Sequence, residues 1–336
     1  MDQFSSFRDT VNILDAPSIR ELVPMASAIR LMEVAFPILS AGDAFVPQRV
    51  VVSNQEESMS VFFKPAFLSL YQRMSIKILT QILDNTNPEN PTIKGLVLLI
   101  DMATGKILSI SDGRSLTAIR TGAASGIATQ YLSNPAAQSV AIFGCGAQGQ
   151  TQLEAVMAVR RIKQVLLFDV CPAQADGLAS KISIDHNIAC EVNPGIDALR
   201  GIDVICTATP SQQPLFGFRH LKPGVHINAI GSYRTDMQEI DPEIMRHGSV
   251  FLDDAAACLN GSGDLTIPIA SGAISEQDIR GELGELIAGK IAGRHSSEEI
   301  TIFKSVGNGI QDFFIANEAY EKSIEMPYIQ KIELNG

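Results

Sequence analysis

Apolar and polar positions in the middle of the chain predict a strand, a turn, a helix and a second strand. Residues 140–143 are a short, wholly apolar run, which is typical of a strand buried on both faces of a sheet. Leu153, Val156 and Met157 follow at three- and four-residue spacing, as on one face of a helix. A second apolar run, residues 165–168, ends at Asp169. The pattern therefore predicts a strand–turn–helix–strand unit that begins at about residue 138.

The turn of this unit carries Gly144, Gly146 and Gly149 in the spacing of a dinucleotide-binding fingerprint. Gly144 allows the tight turn, Gly146 lets a pyrophosphate approach the backbone, and Gly149 lets the helix pack against the strand. Asp169 lies 20 positions beyond Gly149, where a carboxylate accepts hydrogen bonds from ribose hydroxyls. The unit therefore predicts dinucleotide binding. A glycine turn that binds nothing and a methyl-donor nucleotide site are the alternatives.

The position of Asp169 also bears on which dinucleotide is bound. An acid at the end of the second strand suits a free 2′-hydroxyl and repels a 2′-phosphate. We therefore expect NAD(H) rather than NADP(H), with Arg160 and Arg161 as the two cations near enough in sequence to reach the same region.

Strand and helix patterns continue on both sides of this unit. Before it, apolar or alternating runs predict an antiparallel or mixed sheet with strands at 12–14, 50–52, 59–64, 74–83, 95–101 and 106–111. Helices are predicted over residues 24–42 and 113–132, with Pro37 expected to kink or end the first, and a polar loop is predicted at 85–91. Further strands are predicted at 189–192, 203–209, 225–230 and 250–252, and helices at 276–286 and 301–315.

Composition narrows the classes of partner. The chain has 336 residues and a net charge of −11, which argues against nucleic acid and anionic membranes as partners. No apolar run approaches the roughly 20 residues that span a bilayer, so we expect a soluble, cytosolic protein. The five cysteines are odd in number and lack C-x-x-C spacing, and the five histidines form no ligand cluster. We therefore expect neither structural disulfides nor a metal site.

Several stretches, in order along most of the chain, resemble the ornithine cyclodeaminase and mu-crystallin family. They are Ser75-Ile-Lys-Ile-Leu-Thr80, Thr117-Ala-Ile-Arg-Thr-Gly-Ala123, Gly144-Cys-Gly-Ala-Gln-Gly149, Asn228-Ala-Ile-Gly-Ser232, and Gly281-Glu-Leu-Gly284 with Phe303-Lys-Ser-Val-Gly307. The resemblance implies an α/β fold: a Rossmann doubly wound sheet at 126–314, plus a smaller α+β domain built from both termini, residues 1–125 and 315–336. It further implies that the smaller domain binds substrate and forms the interface of a homodimer.

The resemblance also implies roles for individual residues. Arg49, Lys77 and Arg120 match the family's substrate residues, and a guanidinium can bind the carboxylate of an amino or imino acid bidentately. Lys77 is the candidate for orientation and proton transfer, although its spacing alone favours a lysine that reaches solvent at a strand edge, and only the resemblance reverses that interpretation. The implied cofactor residues are Arg120, Thr121, Gly144, Gly146, Ala147, Gln148, Gly149, Asp169, Thr207, Thr209, Gly231, Ser232 and Lys304.

One departure from the family pattern separates the possible activities. Cyclodeaminases of the family place an aspartate two residues after the glycine that follows the Asn-Ala strand, and here that position is Tyr233. The resemblance therefore implies NAD(P)H-dependent reduction of a small imino acid, of the Δ1-pyrroline-2-carboxylate or piperideine-2-carboxylate type. Alanine dehydrogenation, iminosuccinate reduction, ornithine cyclodeamination and dinucleotide-dependent ligand binding without catalysis remain the alternatives.

Overall fold

The structure, a computed structural model, describes residues 8–54, 56, 58–82 and 93–335. The described residues form two compact units. The first takes in the described residues of Met1–Leu31, Ala41–Arg120 and Asn308–Gly336, and the second takes in Met32–Ser40 and Thr121–Gly307. Each unit is built around a sheet of its own.

The elements of the described residues are numbered in chain order. The strands are β1 (Arg8–Leu14), β2 (Val50–Ser53), β3 (Met59–Leu68), β4 (Arg73–Ile82), β5 (Ile93–Asp101), β6 (Ile107–Asp112), β7 (Ser139–Phe143), β8 (Gln164–Phe168), β9 (Cys190–Val192), β10 (Val204–Thr207), β11 (Gln212–Phe216), β12 (His226–Ala229), β13 (Gln238–Ile240), β14 (Ser249–Leu252), β15 (Ile279–Glu282), β16 (Thr301–Lys304) and β17 (Gln330–Asn335). The helices are α1 (Ala16–Leu22), α2 (Met25–Ala41), α3 (Gly113–Leu132), α4 (Ala147–Val159), α5 (Pro172–His186), α6 (Pro242–His247), α7 (Ala255–Gly261), α8 (Gly263–Ala270), α9 (Leu283–Ile287) and α10 (Gly309–Ser323).

The first unit contains a seven-stranded sheet in the order β17-β1-β6-β5-β4-β3-β2. Every neighbouring pair is antiparallel except β1 with β6, which is parallel. Helix α10 packs across β3, β4 and β5. Its apolar side chains, among them Ile310, Phe313 and Ile315, are buried, because an amphipathic helix places such a stripe against a sheet. The mixed sheet expected before the glycine turn is confirmed.

The second unit contains an eight-stranded parallel sheet in the order β15-β14-β16-β12-β10-β7-β8-β9. Alternate residues of β7 enter two different cores: Ala141 and Phe143 join one, and Val140 and Ile142 join the other. The sheet is thus buried on both faces, as the unbroken apolar run predicted. Strands β7, β8 and β9 proceed towards one edge, and β10 and β12 towards the other, so the strand order reverses between β7 and β10. The predicted doubly wound α/β fold with a second domain is confirmed.

Two predicted helices are wrong, and both were placed over strands of this sheet. Residues 301–315 form β16, a connection and α10, because β16 pairs with both β12 and β14 in the interior of the sheet. Residues 276–286 contain a single 3₁₀ turn, β15 and the start of α9. Gly281 has φ of +141°, a conformation that no helix accommodates. Tertiary pairing outweighed the local helical pattern in both segments.

Three further details bear on the predictions. Pro37 lies inside α2, which continues to Ala41 rather than ending at the proline. The polar loop expected at residues 85–91 lies outside the described residues. Within the described ranges, no single helix is both long and apolar enough to cross a bilayer, and one pair, α1 with α2, meets that criterion only when the two are taken together.

Candidate active site

A buried cluster of charges in the first unit gathers Lys77, Arg120 and Asp312. The Lys77 ammonium lies 2.7 Å from Asp312 Oδ1 and 2.6 Å from its Oδ2, so both carboxylate oxygens share it. Arg120 Nε lies 3.2 Å from Asp312 Oδ1, and Arg120 Nη1 donates to Gln311 Oε1 at 2.7 Å. The side chains of Lys77 and Asp312 are fully buried, and that of Arg120 is 6% exposed. Two of the three predicted catalytic residues, Lys77 and Arg120, therefore contact the same acid. That acid, Asp312, was not identified from the sequence.

Three elements of the first unit supply these side chains. On β4 the alternation of the strand buries Ser75 and Lys77 on the face that α10 covers. Arg120 comes from α3, and Asp312 comes from the first turn of α10, next to buried Phe313. Lys77 is thus directed into the unit, and the alternative that it reaches solvent at a strand edge is wrong.

The environment sets the protonation of this cluster. Burial lowers the pKa of Lys77 to about 8, while Asp312 opposes the shift and Arg120 adds to it. Burial by itself raises the pKa of Asp312, but Lys77 and then Arg120 outweigh it, so that the net shift is downwards. At neutral pH the cluster therefore holds an ionised carboxylate and a protonated amine that titrates close to physiological pH. Such an amine can donate a proton and be reprotonated.

Two more cations belong to the same part of the first unit. Lys64 on β3 lies directly opposite Lys77 on β4. Burial lowers the pKa of Lys64 well below its usual range, and Lys77, Arg120 and Arg49 lower it further. The Arg49 guanidinium lies 5.6 Å from the centroid of the Phe62 ring. The predicted substrate residues thus lie in a region of concentrated positive charge, to which Lys64 is an unpredicted addition.

The glycine turn of the second unit has the geometry expected of a phosphate cradle. Gly144 has φ of +86°, and a Cβ there would lie 2.6 Å from the Ala208 carbonyl oxygen. A Cβ on Gly149 would lie 1.9 Å from the Gly144 carbonyl oxygen, so α4 can pack here only with glycine. A Cβ on Gly146 would meet only Gln174 Oε1, at 3.4 Å. Packing thus requires two of the three glycines, and the third leaves the backbone accessible at the start of α4.

Asp169 and the start of α4 complete this part of the site. Asp169 follows β8, and its carboxylate accepts from the backbone N–H of Cys145 and of Cys171, each at 2.7 Å. Helix α4 begins at Ala147, and no side chain caps it, so its first N–H groups, including that of Gln148, have no side-chain acceptor at the cap. An uncapped helix N-terminus beside a glycine turn suits an anionic pyrophosphate.

Most of the remaining predicted cofactor residues lie at strand ends of the second unit or just beyond them. Thr207 ends β10, and its hydroxyl donates to the buried carboxylate of Glu239 at 2.7 Å. The Thr209 hydroxyl donates to the same carboxylate at 2.8 Å. Ser232 donates to the Met237 carbonyl oxygen at 2.7 Å. Lys304, at the end of β16, is fully buried, and its ammonium lies 3.0 Å from Asp264 Oδ2.

Thr121 and Gly231 are the last of the predicted residues to place. Thr121 is buried on α3, and its carbonyl oxygen accepts from Gln152 Nε2 at 3.2 Å, which ties α3 to α4. Gly231 follows β12, and its N–H donates to Glu239 Oε2 at 2.8 Å.

Comparison with models of known protein families identifies the family of this chain over most of its length. The model of the ornithine cyclodeaminase/mu-crystallin family matches residues 10–326. The chain belongs to this family. A Δ1-pyrroline-2-carboxylate reductase of Bacillus cereus, strain ZK / E33L, is 35% identical over 323 residues, which are 96% of this chain and 99% of that protein. The family resemblance seen in the sequence motifs is thereby confirmed.

Solved structures of the ornithine cyclodeaminase/mu-crystallin family have the same fold. The Thermococcus litoralis Δ1-pyrroline-2-carboxylate reductase, solved in complex with NADH and L-proline, superposes with a TM-score of 0.91 at 33% identity, covering 96% of this chain and all of that one. A dimeric archaeal alanine dehydrogenase with bound NAD has a TM-score of 0.89 at 33% identity, covering 96% of this chain and 99% of that one. Both of these relatives therefore bind a nicotinamide dinucleotide.

Three buried acids, Asp312, Glu239 and Asp264, were not identified from the sequence. Each bonds to residues that were identified, since Asp312 binds Lys77 and Glu239 binds Thr207. The signal that was available is a carboxylate in a largely apolar segment, as in Ile-Gln-Asp-Phe-Phe at 310–314. Acidic side chains are seldom buried in a protein core, and those that are buried are paired with a cation or with hydrogen-bond donors.

Proposed function

We propose that this member of the ornithine cyclodeaminase/mu-crystallin family reduces a small imino acid to the L-amino acid with NADH. The preferred substrates are of the Δ1-pyrroline-2-carboxylate or piperideine-2-carboxylate type. The observation that carries the proposal is the buried Lys77–Asp312–Arg120 cluster, which combines a cation for a carboxylate with an amine that titrates near pH 8. The full-length similarity to the Bacillus cereus reductase supports the same substrate class.

In this proposal the cations of the first unit hold the substrate and Lys77 supplies a proton. Arg120 and Arg49 bind the substrate carboxylate, because a guanidinium matches its two oxygens. Lys77 donates a proton to the imine nitrogen, which makes C2 electrophilic and leaves an amine after reduction. The C=N bond gains a hydride at carbon and a proton at nitrogen. Asp312 keeps Lys77 protonated at neutral pH by offsetting its burial.

The second unit is proposed to hold the dinucleotide, which when bound supplies the hydride. The residues fit it: Gly146 leaves the backbone accessible, and the uncapped start of α4 faces the position expected of the pyrophosphate. Asp169 lies beside the turn, where its charge favours a 2′-hydroxyl over a 2′-phosphate. We therefore propose NADH as the preferred cofactor over NADPH.

The absence of an acid at Tyr233 separates this proposal from cyclodeamination. Asp236, the nearest acid along the chain, is 44% exposed and pairs with Arg234 at 2.6 Å on the surface. It therefore does not supply the carboxylate that cyclodeaminases of the family place at position 233. We further propose that the protein is cytosolic and forms a homodimer; the dimeric archaeal alanine dehydrogenase relative supports the dimer.

A substrate panel read by NADH absorbance tests the function. We expect turnover of pyrroline-2-carboxylate and piperideine-2-carboxylate with NADH, weaker rates with NADPH, and loss of at least about 100-fold in Lys77→Met, since a positioned proton donor contributes about that much. Ammonia-dependent oxidation of NADH with pyruvate would instead indicate alanine dehydrogenation. The same oxidation with oxaloacetate in place of pyruvate would indicate iminosuccinate reduction. Release of ammonia from ornithine would select cyclodeamination. Tight NADH binding without turnover of any substrate in the panel would refute the proposal in favour of ligand binding.

A further inference from the structure

Glu239 on β13 collects hydrogen bonds from two strand ends of the parallel sheet. Its Oε1 accepts from the Thr209 backbone N–H at 2.7 Å and from the Thr209 hydroxyl at 2.8 Å. Its Oε2 accepts from the Thr207 hydroxyl at 2.7 Å and from the Gly231 N–H at 2.8 Å. One carboxylate therefore fixes the segment that follows β10 and the segment that follows β12.

The same contacts explain why position 231 is a glycine. A Cβ there would lie 2.4 Å from Glu239 Oε1 and 2.4 Å from the Thr209 carbonyl oxygen. The constraint is this close approach, by the carboxylate and by the Thr209 backbone, and not a positive φ at Gly231. Glycine at position 231 therefore lets the segment after β12 pack against both Glu239 and Thr209.

Glu239 is itself anchored by a second buried acid. Asp264 Oδ1 accepts from the backbone N–H of Glu239 at 2.7 Å and of Ile240 at 3.0 Å. Asp264 Oδ2 pairs with Lys304 at the end of β16. Burial, and then the Asp264 carboxylate, raise the pKa of Glu239, and the Lys304 charge opposes them. A continuous network therefore joins the carboxyl ends of β10, β12 and β16.

These three strands belong to the same half of the doubly wound sheet. In such folds a dinucleotide lies across the carboxyl ends, with one mononucleotide on each side of the point where the strand order reverses. The glycine turn and Asp169 lie on the β7–β8 side and suit the adenosine and the pyrophosphate. The β10–β12–β16 side is left for the nicotinamide ribose and ring.

We propose that Glu239 is the positioning residue of the nicotinamide half of the dinucleotide site, acting through the strand-end segments that it holds rather than by touching the ligand. Glu239 and Thr207 are both fully buried, so neither presents its polar atoms to a ligand directly. The proposal rests on the proposed function only in requiring that the protein binds NADH.

The test compares binding of NADH with binding of ADP, which contains only the adenosine and the pyrophosphate. In Glu239→Gln the amide nitrogen cannot accept, so either the Thr209 or the Gly231 N–H loses its acceptor. We expect the Kd for NADH to rise about tenfold, as for one lost hydrogen bond, and the Kd for ADP to stay within about twofold. Isothermal titration calorimetry on the full chain measures both.

Asp203 provides a matched control on the same sheet. Its Oδ2 accepts from Gln138 N at 2.8 Å, Ser139 N at 3.0 Å and Ser139 Oγ at 2.8 Å, so it too joins β7 to β10, but at their amino ends. Asp203→Asn should lower thermal stability and leave both dissociation constants unchanged. This control separates a general loss of sheet stability from a loss specific to the carboxyl ends.

Several outcomes would overturn the proposal. Equal losses of NADH and ADP affinity in Glu239→Gln, or no loss of either, would overturn it without bearing on the proposed function, provided that the wild type binds NADH. Failure of the wild type to bind NADH would overturn both. If Glu239→Gln does not fold, the milder Thr207→Val removes one donor to the same carboxylate, and an unchanged NADH affinity in that folded variant would overturn the proposal equally.

Discussion

At the scale of single residues, the charges of the first unit work as one group. Lys77 lies against both oxygens of Asp312, and Arg120 shares one of them. Removing one partner of a buried pair leaves the other charge without compensation. The protonation of Lys77 is therefore a property of the group and not of the lysine alone.

The first prediction concerns Asp312→Asn. Because Asp312 raises the pKa of Lys77 while burial and Arg120 lower it, the substitution should move that pKa below about 8. If Lys77 must be protonated to donate, activity is lost as pH rises through its pKa. The falling limb of kcat/KM against pH should thus move to lower pH by at least about one unit.

Ser323→Ala is the control for this profile, because Ser323 is buried on the same helix and accepts from Asn12 Nδ2 at 2.8 Å. It should reduce stability and leave the pH profile in place. Asp312→Glu, which restores the charge, should return the limb towards its original position. An unshifted limb in Asp312→Asn would show that Asp312 does not tune Lys77.

At the scale of elements, the helix after the glycine turn illustrates how packing selects a residue. Helix α4 approaches β7 so closely that a Cβ on Gly149 would lie 3.0 Å from Ile142 Cγ2 as well as 1.9 Å from the Gly144 carbonyl oxygen. In α5, by contrast, a Cβ on Gly177 would meet no atom within 4 Å. The same residue type is thus required in one helix and dispensable in the next.

The second prediction uses this pair. Gly149→Ala should lower the free energy of unfolding by about 1–3 kcal/mol, since it overpacks a close contact. Gly177→Ala should raise it by up to about 1 kcal/mol, because alanine favours the helix and nothing obstructs its methyl group. Urea unfolding followed by circular dichroism measures both. Equal effects of the two substitutions would contradict the packing argument.

The elements also show where sequence patterns succeed. Strands β7 and β8, the turn between them and helix α4 follow from a continuous apolar run, glycine spacing and helical periodicity, all of which are local. Strands β15 and β16 were predicted as helices because Ile302 and Phe303 fit either pattern. Only the neighbouring strands decide such a segment, and those neighbours are distant in sequence.

At the scale of the whole molecule, stability and cofactor binding are linked. A ligand that binds the folded state alone adds about 2.7 kcal/mol to its stability at a concentration of 100 times the Kd. Asp169 lies beside the glycine turn. If it discriminates against a 2′-phosphate as proposed, the two dinucleotides should stabilise the protein unequally.

The third prediction is that NADH raises the melting temperature more than NADPH does at equal concentration. Asp169→Asn removes the charge and keeps an acceptor oxygen, so the difference between the two dinucleotides should shrink, by about tenfold in the ratio of their dissociation constants. Differential scanning fluorimetry gives the shifts. If the ratio of the two dissociation constants is unchanged in Asp169→Asn, Asp169 does not determine which dinucleotide is preferred.

The sequence by itself determined the doubly wound unit, the glycine turn, the acid after β8 and the family, because these depend on local spacing and on motifs in order. Only the tertiary structure decided that Lys77 faces inwards onto Asp312 and that Thr207, Thr209 and Gly231 share Glu239. The Thr207–Glu239 pair joins residues 32 positions apart, and the Lys77–Asp312 pair joins residues 235 positions apart. A buried charge is placed by its partner, and no local pattern along the chain records where that partner lies.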